Sequence, residues 1–253
     1  MKTLLRVPIE ELKNDPYASV ICYPRKKPSE LNERISELIK HGITSVDFIG
    51  KNAAFNIPIL GKGYVGIVIK AYIKNKVVAV KIRRVDADRK ELKHEAKMLL
   101  LANSVQVGPK FYDASKNCLV MEFINGNFLP FWLNLYYNKR IVKKVLKEII
   151  AQCYRLDKLG VDHGELSKAP KHIIININLQ PFLIDFETAS IKRVVSNVTS
   201  ICQFLFLGYG EVGKKVFKII GIRERDKIIN ALRKYKSEKS NSNFLGIIQT
   251  CLS

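Results

Sequence analysis

The sequence predicts an α+β protein of two lobes, in which an antiparallel sheet with one main helix precedes a mainly helical lobe. The β-branched runs Ile67–Ile73 and Val77–Ile82 flank a short polar link, a pattern typical of a β-hairpin. Later in the chain, Lys139–Leu159 repeats apolar side chains at helical spacing. Because 253 residues suffice for one large domain or for two lobes, we expect the strands in a first lobe and the long helices in a second.

Three segments are expected along the chain: an N-terminal extension over residues 1–54, a sheet lobe over 55–124 and a helical lobe over 125–253. The extension contains a predicted helix from Glu30 to Lys40, with Ser29 as its N-terminal cap and Gly42 at its end. The other predicted elements are a helix near Arg89–Ala102, strands near Lys110–Tyr112, Leu119–Phe123, Ile173–Ile177 and Phe182–Ile184, helices after Ser196, including the basic stretch Glu224–Lys236, and a loop over Ser237–Asn243.

The chain is strongly basic. It has 43 Lys and Arg against 23 Asp and Glu, which gives a formal net charge of +20. A surplus of this size attracts anions and predicts an acidic partner, such as RNA, a ribonucleoprotein or a phosphorylated substrate. The alternative interpretation is a solvated surface without a dedicated partner.

The cysteine pattern and the hydropathy argue against several classes of protein. Five cysteines are scattered without a C-x-x-C pair, which disfavours a disulfide framework and a zinc site. Acidic residues follow soon after the first apolar run, unlike a signal peptide. No stretch approaches the roughly 20 apolar residues of a membrane span. We therefore expect a cytoplasmic protein with no membrane partner.

A glycine-rich pattern of the form G-x-G-x-x-G-x-V lies at Leu60–Val68. Glycines let the backbone approach phosphate oxygens, and their N–H groups can point at these oxygens. A dinucleotide-binding fold would need a helix directly after the glycines, and a Walker loop would need Ser or Thr after the lysine, so neither fits. The candidate ATP-binding residues of this loop are Gly61, Lys62, Gly63, Gly66 and Val68.

Lys81, at the end of a Val-Ala-Val run, strengthens the interpretation of the glycine loop. In kinases, a lysine on the third strand reaches the α- and β-phosphates and is held by a glutamate of the next helix. Glu95 is the expected partner of Lys81, and Glu91, one helical turn earlier, is the alternative. Glu122 and Ile124 then occupy the position of a hinge between lobes, where backbone groups would bind adenine.

The second half of the chain supplies carboxylates in the matching order. Asp162–Leu166 occupies the position of a catalytic loop, with Glu165 as its candidate catalytic carboxylate. Asp185 follows two apolar residues, as expected for a metal-binding aspartate at a strand end. A carboxylate there can bridge magnesium to the β- and γ-phosphates and offset the charge that develops in phosphoryl transfer. The set predicts an ATP-dependent phosphotransferase.

Taken together, these motifs resemble a protein-kinase-like fold of the small atypical kind, similar to the RIO kinases and to the kinase of the tRNA-modification complex. They resemble still more closely an archaeal family of predicted serine/threonine protein kinases. The resemblance covers about residues 57–207 and is carried by Leu60–Val68, Lys81–Arg84 with Asp86–Arg89, Gly108–Lys110, His163–Leu166, Lys171-His172, Asp185–Ser190 and Ser196–Thr199. It implies a bilobal fold, ATP and Mg²⁺ as cofactors bound in the cleft between lobes, and a protein substrate.

The chain departs from the usual kinase pattern around the catalytic loop. Glu165 stands where kinases have aspartate, and Pro170 stands where the metal-binding asparagine is expected. A longer loop would bring His172 to the asparagine position, which makes His172 a candidate metal ligand, although magnesium prefers oxygen. Lys168 and Lys171 are candidates for contact with the γ-phosphate, and a solvated basic loop is their alternative.

Three functions remain open from the sequence. The ordered motifs favour a kinase that acts on protein hydroxyls or on itself. Glu187, in place of the glycine that follows Asp-Phe in kinases, together with the missing Ala-Pro-Glu motif, favours a small-molecule phosphotransferase. Glu165, Pro170 and the positive charge favour an ATPase-like or nucleotide-sensing module on an RNA or ribonucleoprotein complex.

Overall fold

The computed structural model describes residues 6–136, 138–221 and 224–253. The chain divides into two compact units. The first comprises Met1–Lys97 and Lys110–Phe123, and the second comprises Met98–Pro109 and Ile124–Ser253. One unit is built on an antiparallel sheet and the other is mainly helical, which confirms the α+β, kinase-like fold class.

The first unit contains short strands and a few helices. Its strands are β1 (Val7–Pro8), β2 (Ser45–Asp47), β3 (Asn52–Ala54), β4 (Ile57–Ile59), β5 (Gly61–Lys62), β6 (Gly66–Ile73), β7 (Lys76–Arg83), β8 (Phe111–Ala114) and β9 (Cys118–Glu122). Its helices are a 3₁₀ turn at Ile9–Lys13, α1 (Tyr17–Ile21), α2 (Pro28–Lys40) and the start of α3 (Lys93–Asn103), within which the division into units falls.

The main sheet has the order β1-β2-β6-β7-β9-β8, with β5 also paired to β6, and every pairing is antiparallel. Its centre is the hairpin β6–β7, in which Val68 faces Lys81. The turn uses Lys74 at φ +54°, a left-handed conformation. Ile69 and Val80 lie at the core of this hairpin with no exposed surface. The hairpin agrees with the β-branched runs of the sequence.

In the segment expected as an extension, the described residues 6–54 are part of the first unit. Strand β2 pairs with β6, and Leu31, Ile35 and Leu38 of α2 share one apolar core with the sheet. Arg34 of α2 is fully buried and donates to the Arg83 carbonyl at the end of β7. The helix is thereby attached to the sheet by apolar contacts and by a buried guanidinium.

Two predicted helix starts are wrong. Helix α2 begins after Lys27, with Pro28 in its first turn, and Ser29 lies inside the helix and makes no capping bond. Proline suits the first turn, because the N–H it lacks would have no partner there. Helix α3 begins at Lys93 and not near Arg89. The Leu92 carbonyl accepts the helical bond from the Ala96 N–H, while the Leu92 N–H is held outside the helix by the Lys116 carbonyl.

The second unit joins a small sheet to a group of helices. Its antiparallel sheet has the order β10-β11-β12, formed by β10 (Gly126–Phe128), β11 (Ile173–Asn176) and β12 (Pro181–Leu183). Its helices are α4 (Leu129–Leu135), α5 (Lys139–Leu159), α6 (Asn197–Cys202), α7 (Glu211–Ile220), α8 (Arg225–Ser237) and α9 (Asn241–Leu252), with a 3₁₀ turn at Leu166–Lys168 and a π-helical turn at Gln203–Leu207.

Helix α5 is the long central element of the second unit. The Asn138 side chain caps it by accepting from the N–H groups of Arg140 and Ile141, and Gly160 ends it at φ +79°. Its apolar face is buried, in agreement with the helical spacing of the sequence. The loop predicted over Ser237–Asn243 is shorter than expected, because α8 continues to Ser237 and α9 already begins at Asn241.

Candidate functional site

The glycine-rich loop lies between β5 and β6. Gly61 pairs with Val68, and the Gly63 N–H donates to the Gly66 carbonyl at 2.8 Å, which closes the turn. A side chain at Gly66 would place its Cβ 2.9 Å from the Ile82 carbonyl oxygen and 3.0 Å from Lys81 Cγ. Gly66 is therefore required for close packing of the loop against the strand that carries Lys81.

Two basic side chains at the glycine loop donate hydrogen bonds to backbone carbonyls of the first unit. Lys62 Nζ donates to the Ala53 carbonyl at 3.0 Å, so this predicted phosphate ligand contacts the β3–β4 hairpin. Arg84 donates to the Gly63 carbonyl at 3.1 Å and forms a 2.8 Å ion pair with Asp86. The sequence motifs include Arg84, but nothing in their spacing assigned it this role of holding the tip of the loop.

Lys81 and Glu95 form a buried ion pair. Lys81 Nζ lies 2.8 Å from Glu95 Oε2, and both side chains are about 95% buried. The pairing register of β6 with β7 aims Lys81 into the unit, and α3 brings Glu95 to it. Glu91, the alternative partner, pairs instead with Lys93 in an exposed position. The two residues that the sequence paired are thus in contact.

The predicted hinge residues lie at the end of β9. The Glu122 backbone N–H donates to the Lys110 carbonyl at 2.8 Å, and the Glu122 carboxylate accepts from the Lys110 N–H at 3.1 Å. Glu122, the last residue of β9, is thus held to Lys110, the residue before β8. The half-buried Ile124 is the first residue of Ile124–Ser253, the longer of the two segments of the second unit.

In the second unit, the buried His163 holds the candidate catalytic loop Asp162–Leu166 in place. The His163 ring has no exposed surface, contacts the Phe186 ring at a centroid distance of 5.0 Å and has Nε2 3.1 Å from the Ile184 carbonyl oxygen. Burial lowers the pKa of His163 to about 4. The ring is therefore neutral near neutral pH, and Nε2 carries the proton that it donates to Ile184.

A buried polar network holds the same loop from below, and the sequence did not predict it. Asn197 Oδ1 accepts from the His163 N–H at 2.8 Å, while Asn197 Nδ2 donates to Asp157 Oδ1 at 2.8 Å and to the Val161 carbonyl at 2.7 Å. The Tyr235 hydroxyl donates to Asp157 Oδ2 at 3.0 Å. Burial raises the pKa of Asp157 and the pKa of Tyr235. The network joins α5, α6 and α8 next to the candidate catalytic loop.

Glu165 is in contact with His172. His172 Nε2 lies 2.8 Å from Glu165 Oε2, and the imidazole is mostly buried while the carboxylate is partly exposed. His172 Nδ1 lies 3.9 Å from Asp185 Oδ2. The structure therefore brings together three residues that the sequence selected separately, and it gives the His172 ring a carboxylate partner on one nitrogen.

Asp185 occupies a left-handed backbone conformation at φ +68° just after β12. Asp185 and Glu187 each offer a carboxylate oxygen, and these atoms lie within 4.8 Å of one another. Two neighbouring carboxylates are the hard oxygen donors that Mg²⁺ prefers, so the residues present fit the metal implied for kinases. Phe186 between them is buried against His163, which fixes the segment.

The basic residues of the loop after Glu165 reach solvent. Lys168 closes a 3₁₀ turn, and Lys171 and Pro170 follow it; all three are exposed. Within the described part of the chain, neither lysine forms an ion pair. Both remain candidates for an anionic ligand.

None of the described helices is long and apolar enough to cross a bilayer.

The antiparallel sheet with a buried Lys–Glu pair, the Asp-His-Gly-Glu loop and the Asp-Phe-Glu segment define the class of protein-kinase-like proteins. A family description for the RIO domain matches residues 69–193. An uncharacterized protein of Methanocaldococcus jannaschii is 33% identical over 118 residues, which cover 46% of this chain and 98% of that relative. The chain belongs to the RIO-kinase-related family of atypical kinases, as the resemblance of its motifs predicted.

Proposed function

We propose that this chain is an ATP-dependent phosphotransferase that transfers the γ-phosphate to a seryl or threonyl hydroxyl of a protein, including its own. The observation that carries the proposal is the buried 2.8 Å pair of Lys81 and Glu95. Burying two charges costs desolvation energy that their attraction often fails to offset, so such a pair is a poor device for stability. It supports instead a role for Lys81 at the phosphates of ATP, next to the glycine loop.

The residues of the second unit have complementary roles in this proposal. The acceptor hydroxyl attacks the γ-phosphorus, the bond from the γ-phosphorus to the β–γ bridging oxygen breaks, and ADP leaves. Glu165 takes the hydroxyl proton while His172 holds the carboxylate in place. Asp185 and Glu187 would hold Mg²⁺, which when bound offsets charge on the phosphate oxygens. Lys168 and Lys171 would contact the γ-phosphate.

The test is transfer of label from γ-labelled ATP, with magnesium, to the protein itself and to a generic protein acceptor. Lys81→Ala, Asp185→Ala and Glu165→Ala are each expected to lower transfer by at least about 100-fold, as is typical for removing a charged or acid–base group. Asp226→Ala, at an exposed position of α8, is the matched control and is expected to behave as wild type. Wild-type transfer by Lys81→Ala and Asp185→Ala would refute the proposal.

A nucleotide-sensing module on RNA is the second candidate. It is favoured by Glu165 and Pro170 at positions where active kinases have Asp and Asn, and by the net charge of +20. In that case the wild type binds ATP without transfer or hydrolysis and binds RNA with an affinity that falls steeply with salt. A small-molecule kinase, suggested by Glu187 after Asp185-Phe186, would turn over ATP only when a particular small alcohol is added.

A further inference from the structure

The second unit contains a large cleft, and among its lining residues only Lys168 has a role in the proposed catalytic steps. The cleft has a volume of about 980 Å³ and begins at Ser167, Lys168 and Pro170, directly after Glu165 in the loop. From there it is lined by the π-helical turn, the start of α7 and one face of α8. The loop that carries the candidate general base therefore also forms one edge of the cleft.

The lining of the cleft is both basic and apolar. The cations that line it are Lys168, Arg225, Arg233 and Lys236. Among the described lining residues, Glu211 is the single acid, and its carboxylate already pairs with Lys215. Arg225 donates to the Leu207 carbonyl at 3.0 Å, whereas Lys168, Arg233 and Lys236 have no carboxylate partner within the described ranges.

Apolar side chains separate these cations. Phe204 and Leu207 of the π-helical turn, and Ile229 and Leu232 of α8, line the same cleft. A ligand that satisfies the cleft needs negative charges next to an apolar group. Nucleic acid fits less well, because single strands bind through stacking on several aromatic rings, and Phe204, only partly exposed, is the one aromatic residue among the described lining residues.

We infer that this cleft binds an acidic peptide segment of the phosphoryl acceptor, with a bulky apolar side chain flanked by carboxylates. The inference rests on the proposed phosphotransferase function and names the substrate class of the same site. Carboxylates of the segment pair with Arg233 and Lys236, and the apolar side chain packs between Phe204 and Leu232. A bound segment then lies beside the loop that carries Glu165.

The test measures binding without nucleotide, so that it is independent of catalysis. A fluorescent peptide with glutamates around one central leucine is titrated with the whole protein, and its anisotropy gives Kd. The double variant Arg233→Glu/Lys236→Glu is expected to raise Kd by at least about tenfold. The control Lys214→Glu/Lys234→Glu makes the same charge change at exposed positions outside the cleft and is expected to alter Kd by less than about twofold.

Two further measurements test the need for an apolar side chain and guard against a variant that fails to fold. A peptide with serine in place of leucine is expected to bind several-fold more weakly, and the milder Arg233→Gln/Lys236→Gln variant tests the same cleft if charge reversal prevents folding. Equal peptide affinity in the cleft variant and the control would overturn the inference, as would selective loss of RNA binding alone. A wild type that binds the peptide but transfers no phosphate from ATP would refute the proposed function while leaving the peptide-binding role of the cleft standing.

Discussion

His172 Nε2 lies 2.8 Å from Glu165 Oε2, so the carboxylate of the candidate catalytic loop is held by a largely buried imidazole. We predict that His172→Leu lowers kcat for phosphoryl transfer by about 10- to 100-fold. KM for ATP is expected to stay within about twofold, because the histidine acts through Glu165. His172→Asn retains a hydrogen-bond donor and is expected to recover part of the activity. A wild-type kcat for His172→Leu would contradict the positioning role.

The buried pair of Lys81 and Glu95 makes separate predictions for ATP binding and for stability. Lys81→Met is expected to abolish ATP binding in isothermal titration and to destabilise the protein by about 3–5 kcal/mol, because it leaves the buried Glu95 carboxylate without its partner. Glu95→Leu leaves the Lys81 ammonium without its partner and is expected to destabilise the protein by about 3–5 kcal/mol. Lys76→Met, at an exposed position of the same strand, serves as the control in both assays. Tight ATP binding by Lys81→Met would remove the lysine from the nucleotide site.

The buried His163 predicts acid sensitivity. Its pKa falls from 6.5 to about 4 on folding, so between these values the unfolded chain binds a proton that the folded chain does not. The free energy of unfolding is therefore expected to fall as the pH falls through this window, by up to about 1.4 kcal/mol per pH unit. Urea titrations at several pH values measure it. His163→Gln is expected to flatten this slope, whereas His94→Gln, at an exposed position, leaves it in place.

Two glycines have nearly the same φ angle but different surroundings. Substituting each by alanine separates the cost of a side-chain clash from the cost of backbone strain. Gly108 has φ +82° and Gly160 has φ +79°. An added Cβ at Gly108 would lie 2.9 Å from Phe186 Cε2 and 3.0 Å from Leu99 Cδ1, whereas at Gly160 nothing lies within 4 Å. Gly160→Ala is expected to cost about 1–2 kcal/mol from strain alone.

The cost of Gly108→Ala is expected to exceed that of Gly160→Ala by about 1–3 kcal/mol, because the methyl group is forced against a packed core. Thermal unfolding of the two variants measures the difference. Because Phe186 follows Asp185 directly, Gly108→Ala is also expected to lower transfer activity more than Gly160→Ala does. Equal stability losses would mean that the Phe186 ring moves aside at no cost.

The sequence predicted the features that depend on local residue patterns. The β6–β7 hairpin follows from its β-branched runs, and α5 follows from the 3.6-residue spacing of its apolar positions. The contact of Lys81 with Glu95 was expected from the order of the kinase motifs alone. Helix starts were less accurate, because proline and serine near Lys27 offer competing caps and only tertiary contacts decide between them.

The features that the sequence did not reveal are single polar residues joined over long separations. Asp157, Asn197 and Tyr235 meet next to the candidate catalytic loop, although no periodicity or motif links them. Arg34 and Arg83 are in contact where α2 packs on the sheet, although arginines are usually exposed and the sequence does not mark either one as buried. Burial of such groups is decided by which elements pack together, and a single sequence carries little signal for that.

The pairing of β2 with β6 has a consequence for where this domain can be cut. The part that matches the RIO domain begins at residue 69, inside β6. The start of the family match is therefore not the start of the folded domain. Removal of residues 1–54 would strip Ser45–Asp47 from β6 and leave its N–H and C=O groups unpaired along an apolar strand. An open edge of this kind recruits other chains. The N-terminal segment therefore protects this edge of β6 from pairing with other chains.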